Sequence, residues 1–474
     1  MDLFRKKSVD QLVSESTPLK RTLKTFDLTM LGIGAIIGTG IFVLTGKGAL
    51  TAGPALCVSF LLAAVCCGFA GLCYAEFAAM APVSGSAYSY AYLAFGELIA
   101  FVIGWDLILE YALQAATVSA GCRAISTSCW KLGLHLPVEL TAAYGTTPGV
   151  TTYFNLPGFV IVLIITWVLS IGINQTKKTN DIMVMIKLAI IVLFIVCTVW
   201  YINPANWKPF SPYGIYTFQP GSTQPYGIVP AASIVFFSFI GFDAVSSSAE
   251  ETINPNKTLP RAFWISVGRV DRALHRHDAD HDRCGAIQGV RDFIDAPVAG
   301  VILETGLNWL AFVVNLGALI GMTTVMLVQL YGQSRICYAM SRDGLFPKFF
   351  GHVHEKYRTP FKHLVLRSAD RVRRRLHQHQ RAVRAGEHRY AVRVHHRVGR
   401  HPVDAQDPAG RASWLPCAGR AVHANLRHHL LPDSDLRFEL EDVGGVFAVW
   451  FALGLVVYFT YSRKHSQLNE PGLF

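Results

Sequence analysis

Charge is scarce in this chain. Of its 474 residues, 16% are charged and 51% are hydrophobic. That balance excludes an assembly of two or three soluble domains, whose surfaces need more charge, and points to an all-α polytopic membrane protein. A secretory signal is also missing: Met1 to Lys24 is polar and basic, with no short apolar core before a cleavage site. The ten cysteines include no C-x-x-C pair at zinc spacing, and Cys57, Cys66, Cys67, Cys73 and Cys197 lie in apolar runs, where they read as buried thiols. No metal, no cofactor and no enzyme chemistry are expected. The net charge of +11 suggests an anionic partner, but residues 365–441 alone carry 15 Arg against 8 Asp plus Glu. Most of the excess sits in that one stretch, and no nucleic-acid partner is expected.

What is present is a series of apolar segments. Leu28 to Leu50, LTMLGIGAIIGTGIFVLTGKGAL, is 23 residues with no charge before Lys47, long enough to span a bilayer as a helix. Its middle reads Gly38-Thr39-Gly40. Two readings are open there. One is a broken helix, tolerated at membrane depth only where it faces a cavity or buried protein. The other is a glycine face packed closely on a neighbour. Further spans are read at 54–81, 96–122, 157–174, 180–202, 227–250, 306–335 and 443–461, which makes eight clear spans. The sixth contains FFSFIGFDAV, interrupted by Gly241. Paired interrupted helices in corresponding halves are the sequence mark of a transporter site at the midplane of an inverted repeat, so the pair favours a break at 38–40.

The basic tail (Arg5, Lys6, Lys7, Lys20, Arg21, Lys24) places the N-terminus in the cytoplasm by the positive-inside rule, and Arg463 and Lys464 place the C-terminal end there too. The division expected is a tail at 1–27, a transporter core at 28–363, an Arg/His-rich segment at 364–442, and a last span with its tail at 443–474. Topology then makes a demand. The sixth span ends inside and so does 306–335, so one crossing must lie between them. An odd number must likewise lie between 362 and 443. The sequence there cannot cross. Residues 269–284 read RVDRALHRHDADHDRC, and residues 365–440 contain no Lys, Ile, Met or Thr but 15 Arg and nine His. Each such charge costs several kcal/mol at the bilayer centre. The abrupt change of vocabulary reads as out-of-frame translation, against the alternative of a genuine basic insert. A metal site in HRHDADHD and a nucleic-acid arm in the Arg/His stretch are compositional matches that the same change explains.

GIGAIIGTGIF, YAEFAAMAPVSGSAYSYAYLAFGELIAFVIGWDLILEYAL, FFSFIGFDAVSSSAEETINPNKTLPRA and YGQSRICYAMSRDGLFP together resemble the amino acid–polyamine–organocation superfamily, in particular its bacterial cationic amino acid transporter-like permeases. The resemblance implies twelve spans, a five-plus-five inverted repeat with two added, and discontinuous helices 1 and 6. The missing spans would be the seventh, in 269–284, and the ninth to eleventh, in 365–440. It also implies proton-coupled amino acid transport by alternating access across the cell membrane, extending to cationic amino acids. A non-transporting sensor or membrane subunit is the alternative.

The site follows from the broken helices. N–H groups around Gly38, Thr39 and Gly40 offer hydrogen bonds and a positive half-helix end to the substrate carboxylate. Carbonyls near Ile36, Ile37, Phe239 and Ile240 would accept from its ammonium. Phe237 matches the aromatic gate of relatives, or is a packing residue of FFSF. Lys187 lies seven positions past Asn180, about 10 Å along a helix from the interface. It either snorkels to the surface or, matching the lysine that replaces a bound ion in the family, couples proton movement near Thr323 and Thr324. Glu110, one turn after Asp106, would pair with a cationic substrate side chain or with a neighbouring polar helix.

Overall fold

In the computed structural model, the described residues are 4–14, 19–38, 40–121, 140, 155–201, 207–218, 224–255, 257–259, 261–262, 297–304, 306–353 and 447–469. Thr39 and the stretches 269–284 and 365–440 lie outside them. The chain divides into two units, residues 1–369 with 457–474, and residues 370–456. Of the second, residues 447–456 are described, as helix. All further description concerns the first.

Helix dominates that unit. Its main helices are α1 (Thr25–Ile36), α2 (Thr45–Ala52), α3 (Leu56–Met80), α4 (Ala87–Ala94), α5 (Glu97–Gly121), α6 (Leu156–Ile171), α7 (Ile173–Thr198), α8 (Ile228–Phe236), α9 (Pro297–Glu304) and α10 (Asn308–Arg342). Among the described residues, four stretches are long and apolar enough to cross a membrane: Thr25–Met80, Glu97–Ser119, Ile173–Tyr201 and Asn308–Arg342; Leu156–Ile171 is a shorter apolar helix. Between α7 and α8, Thr217–Phe218 pairs antiparallel with Pro225–Tyr226.

The longest helix, α10, is the hub. It packs on α1, α5, α6 and α7, and from Thr324 to Ser341 every residue is buried. The helices around it turn apolar side chains outward, among them Phe69, Trp167, Val192 and Val196. In water that surface would drive association; against hydrocarbon it is matched.

Both glycine-marked helices are broken. α1 stops at Ile36, Ile37 is extended, and a wide turn of π-helix over Gly40–Leu44 leads into α2. Likewise α8 stops at Phe236, Gly241 takes a φ of +122°, and a 3-10 segment runs from Phe242 to Glu251. The glycines pack closely as well: a Cβ on Gly40 would collide with Ser238, and one on Gly38 with Val325. The break and close-packing readings of this stretch are therefore both true.

The far ends of α1 and the 3-10 segment are tied together. Thr22 and Leu23 donate backbone N–H groups to the Glu251 carbonyl at 2.8 and 3.0 Å, and Ile253 donates to Leu23 at 2.9 Å. The Pro82–Ser86 turn docks beside them. Ser84 N–H donates to Glu250 at 3.0 Å, and Ser246 donates to Ser86 at 2.9 Å.

Buried ion pairs close the same end. Arg335 meets Glu251 at 2.8 Å, stacks 3.9 Å from the centre of the Tyr331 ring, and shares Glu251 with the Tyr331 hydroxyl. Arg342 meets Glu250, and Lys7 meets Asp343, each at 2.8 Å. Arg5 meets Glu97 at 3.0 Å, and Glu97 also accepts from Tyr92, Tyr458 and Ser466. Removing one partner of a buried pair strands the other charge and costs about 3–5 kcal/mol. Arg335→Met should therefore lower the unfolding midpoint of the purified protein markedly, as read by a thermal melt in detergent. An unchanged midpoint would show that the pair contributes nothing net.

Candidate functional site

The two breaks meet α7 and α10 at one point. A helix that stops inside a protein leaves its last carbonyls without intrahelical donors. Lys187 of α7 reaches the end of α1, where the Ile33 carbonyl already accepts from the Ile37 N–H at 3.0 Å. Its Nζ lies 3.2 Å from the Ile33 carbonyl, 3.1 Å from Gly34, 2.8 Å from Ile37 and 2.8 Å from the Thr324 hydroxyl. The residue is 0% exposed, so the snorkelling reading is set aside: the amine points inward, to the break. No carboxylate lies among these four ligands. The ammonium is held by oxygens at the negative end of a half-helix dipole. Thr324 has one proton to give, to Gly321 at 2.7 Å or Gly34 at 3.2 Å, and so accepts from Lys187. Thr323 faces elsewhere and donates to Leu319 of its own helix at 2.8 Å.

The second break brings its own charge. Asp243, 7% exposed, sits two residues past Gly241, accepts from the Tyr111 hydroxyl, and gathers backbone N–H groups at Gly241 and Ala244. The positive end of the 3-10 segment is thus already occupied by a carboxylate. Glu110, next to Tyr111 in α5 and partly buried, lies within electrostatic reach of Asp243 and Asp106. Phe239 is 1% exposed and sets its ring edge-on to Phe60, with centroids 6.5 Å apart, whereas Phe237 is 63% exposed.

Residues 23–270 and 285–367 match the amino acid permease family. The chain belongs to that family. Among relatives of this amino acid permease, the branched-chain amino acid permease BcaP of Bacillus subtilis strain 168 is 44% identical over 99% of both chains. The methylthioribose transporter of the same organism is 38% identical, again over 99% of both. Human cationic amino acid transporter 4 is 32% identical over 73% of this chain and 53% of its own. The permease is a multi-pass membrane protein that transports amino acids across the membrane.

Of the residues singled out from sequence, the permease structure brings Ile37, Gly38, Gly40, Lys187 and Thr324 together around the first break. Gly38 and Gly40 make the close approaches, and the Ile37 carbonyl is a ligand of Lys187. Ile36 and Ile37 are buried at the end of α1; Phe239 and Ile240 stand in the turn before Gly241. Thr39 lies outside the described residues. Sequence reasoning missed Gln329 and Ser238. Both are buried, at 0% and 1% exposed, and their side-chain polar atoms have no hydrogen-bond partner among the described residues. The available signal was LVQLYGQSR: two glutamines four apart within a span. Among the described residues no cluster of His, Cys, Asp and Glu is placed to hold a metal.

Gly241 is constrained in both space and backbone conformation. A Cβ there would sit 2.9 Å from the Ala35 Cβ on a backbone that disfavours L side chains. Gly241→Ala should cost about 1–2 kcal/mol, seen as a lower melting temperature. It should also slow amino acid uptake into liposomes, because the break must shift.

Proposed function

We propose that the permease binds an α-amino acid at the paired breaks and couples its uptake to proton movement through Lys187, by alternating access. The observation that carries the reading is Lys187 itself: a wholly buried amine whose four oxygen ligands join α7 and α10 to the broken end of α1. A lysine held away from water can release and regain a proton. Releasing it leaves two donors for four oxygens, which loosens that junction. The carboxylate of the substrate would bind at Gly38–Gly40, since Asp243 occupies the matching end of the second break. Its ammonium would bind carbonyls near Ile36, Phe239 and Ile240, with Phe237 closing over it, and Glu110 would receive a cationic side chain.

The same reading places the protein in the cell membrane, with lipid on the outward apolar faces and both termini in the cytoplasm. It takes the broken helices as members of a five-plus-five inverted repeat within twelve spans. Two sequence facts support out-of-frame translation at 269–284 and 365–440. The family match leaves out 271–284 and stops at 367. The two Bacillus subtilis relatives nonetheless run alongside this chain for 99% of its length. Resequencing codons 268–285 and 364–443 tests this; a digest containing the peptide 269–284 from a verified gene would falsify it.

In liposomes, Lys187→Ala should abolish the dependence of amino acid uptake on an imposed pH gradient. If uptake by that variant still follows the gradient, Lys187 does not carry the coupling.

A further inference from the structure

Gln329 is a buried polar residue at the paired breaks that this mechanism leaves without a role. It stands in α10, five residues past Thr324, where three elements converge. The space a Cβ would take on Gly241 is 3.2 Å from the Gln329 amide nitrogen and 3.2 Å from the Ala35 carbonyl, so α10, the end of α1 and the start of the 3-10 segment meet there. Gln329 is 0% exposed, and neither its Oε1 nor its Nε2 has a partner among the described residues. Ser238 shows the same pattern on the other side of the broken pair, with its unpartnered hydroxyl pressed against Gly40. A buried carboxamide left unpaired loses the free energy of its hydration with no return. Gln333, one turn on, is satisfied at its nitrogen, which donates to the Ile108 carbonyl at 2.6 Å. At Gln329 neither amide atom is matched in this way, and Gln333 Oε1 is itself without a partner among the described residues.

A carboxamide offers one donor edge beside one acceptor edge. An α-amino acid offers the complement: a carboxylate that accepts and an ammonium that donates, two bonds apart. We propose that Gln329 is a substrate-contacting residue, its carboxamide pairing with the zwitterionic head of the bound amino acid while the Ser238 hydroxyl adds a second contact. The inference rests on the amino acid site proposed above and adds to it a group from α10. That group makes the head, rather than the side chain, the common determinant of recognition.

The test is Gln329→Met, an apolar replacement of similar length, with Gln329→Asn as the conservative variant, each as full-length protein in detergent and in liposomes. The probes are alanine, leucine and arginine, together with the deaminated acid and the decarboxylated amine corresponding to leucine. The proposal expects Gln329→Met to melt no lower than wild type without ligand, because an unpaired polar group has been removed. It also expects that variant to lose the ligand-induced rise in melting temperature and to raise KM at least tenfold for all three amino acids at similar kcat. Gln329→Asn should recover part of the affinity. In wild type neither single-charge leucine analogue should compete well, and in the Met variant the gap between leucine and its analogues should narrow. A merely structural glutamine would instead give a lower melting temperature, a fall in kcat and an unchanged KM, which overturns the proposal. So does a Met variant with wild-type KM and ligand-induced stabilisation, in which case the amino acid site stands without Gln329. If wild type neither transports nor is stabilised by any α-amino acid, the site reading and this inference fall together.

Discussion

A backbone carbonyl at membrane depth must find a donor, and helix 1 stops at the buried residues Ile36 and Ile37. Everything near the site answers that constraint. Lys187 sends one amine to three carbonyls of the final turn, and Thr324 of α10 completes its shell. The glycines at 38 and 40 are demanded by the same geometry: with the helix interrupted, α10 and the second broken helix close in until only a hydrogen fits. A break without Lys187 would leave the Ile37 carbonyl without a donor among the described residues, at a cost on the order of a few kcal/mol. A lysine without the break would be a buried charge with nothing to hold it. Neither is stable alone, so the two features belong to one structural unit.

That unit has a handle. The far end of α1 is hydrogen-bonded to the far end of the 3-10 segment through Leu23, Glu251 and Ile253, and Glu251 is pinned to α10 by Arg335. α1 and the 3-10 segment therefore form one body. It is held to the rest of the unit at two levels: buried ion pairs at its outer end and the Lys187 shell at the break. Ion pairs in a dry interior are directional and intolerant of partial separation, so this arrangement favours discrete positions over gradual bending. The lock at the outer end is made of fixed charges. The lock at the break is made of one titratable amine.

The fold was largely legible in the sequence because its signals are local. Long apolar runs give helices, and Gly38, Gly40 and Gly241 mark breaks that the structure places within a residue or two. The partners of Lys187 were not legible in full. Which turn of helix 1 it would meet depends on how α7 crosses α1, and that is tertiary. The same limit explains Thr323 and Thr324, adjacent in sequence yet facing different neighbours. It also explains FFSF, where three aromatic rings carry no record of which one turns inward; the turn before Gly241 buries Phe239 and leaves Phe237 exposed. Gln329 was passed over because an amide in an apolar span, even with a second four residues on, is unremarkable until it is seen to lack a partner among the described residues. Unsatisfied hydrogen bonding is a property of the folded chain alone.

No carboxylate among the described residues bonds Lys187, and under the proposed coupling that decides what kind of switch it can be. A lysine paired with an Asp or Glu keeps its proton, because losing it would strand the partner's charge. Here the ligands are neutral oxygens, so deprotonation strands no anion and its effect is geometric. Four oxygens compete for three N–H bonds in the charged amine and for two in the neutral one, whose lone pair then faces an oxygen. Three of those four oxygens are carbonyls at the end of α1, which carries half of the proposed amino acid site. Under the proposed coupling, proton loss at Lys187 therefore weakens the attachment of the α1 end to α7 and α10 without touching the ion pairs at the outer end. The chemistry at the break and the position of the broken half-helix are thereby linked through a single amine.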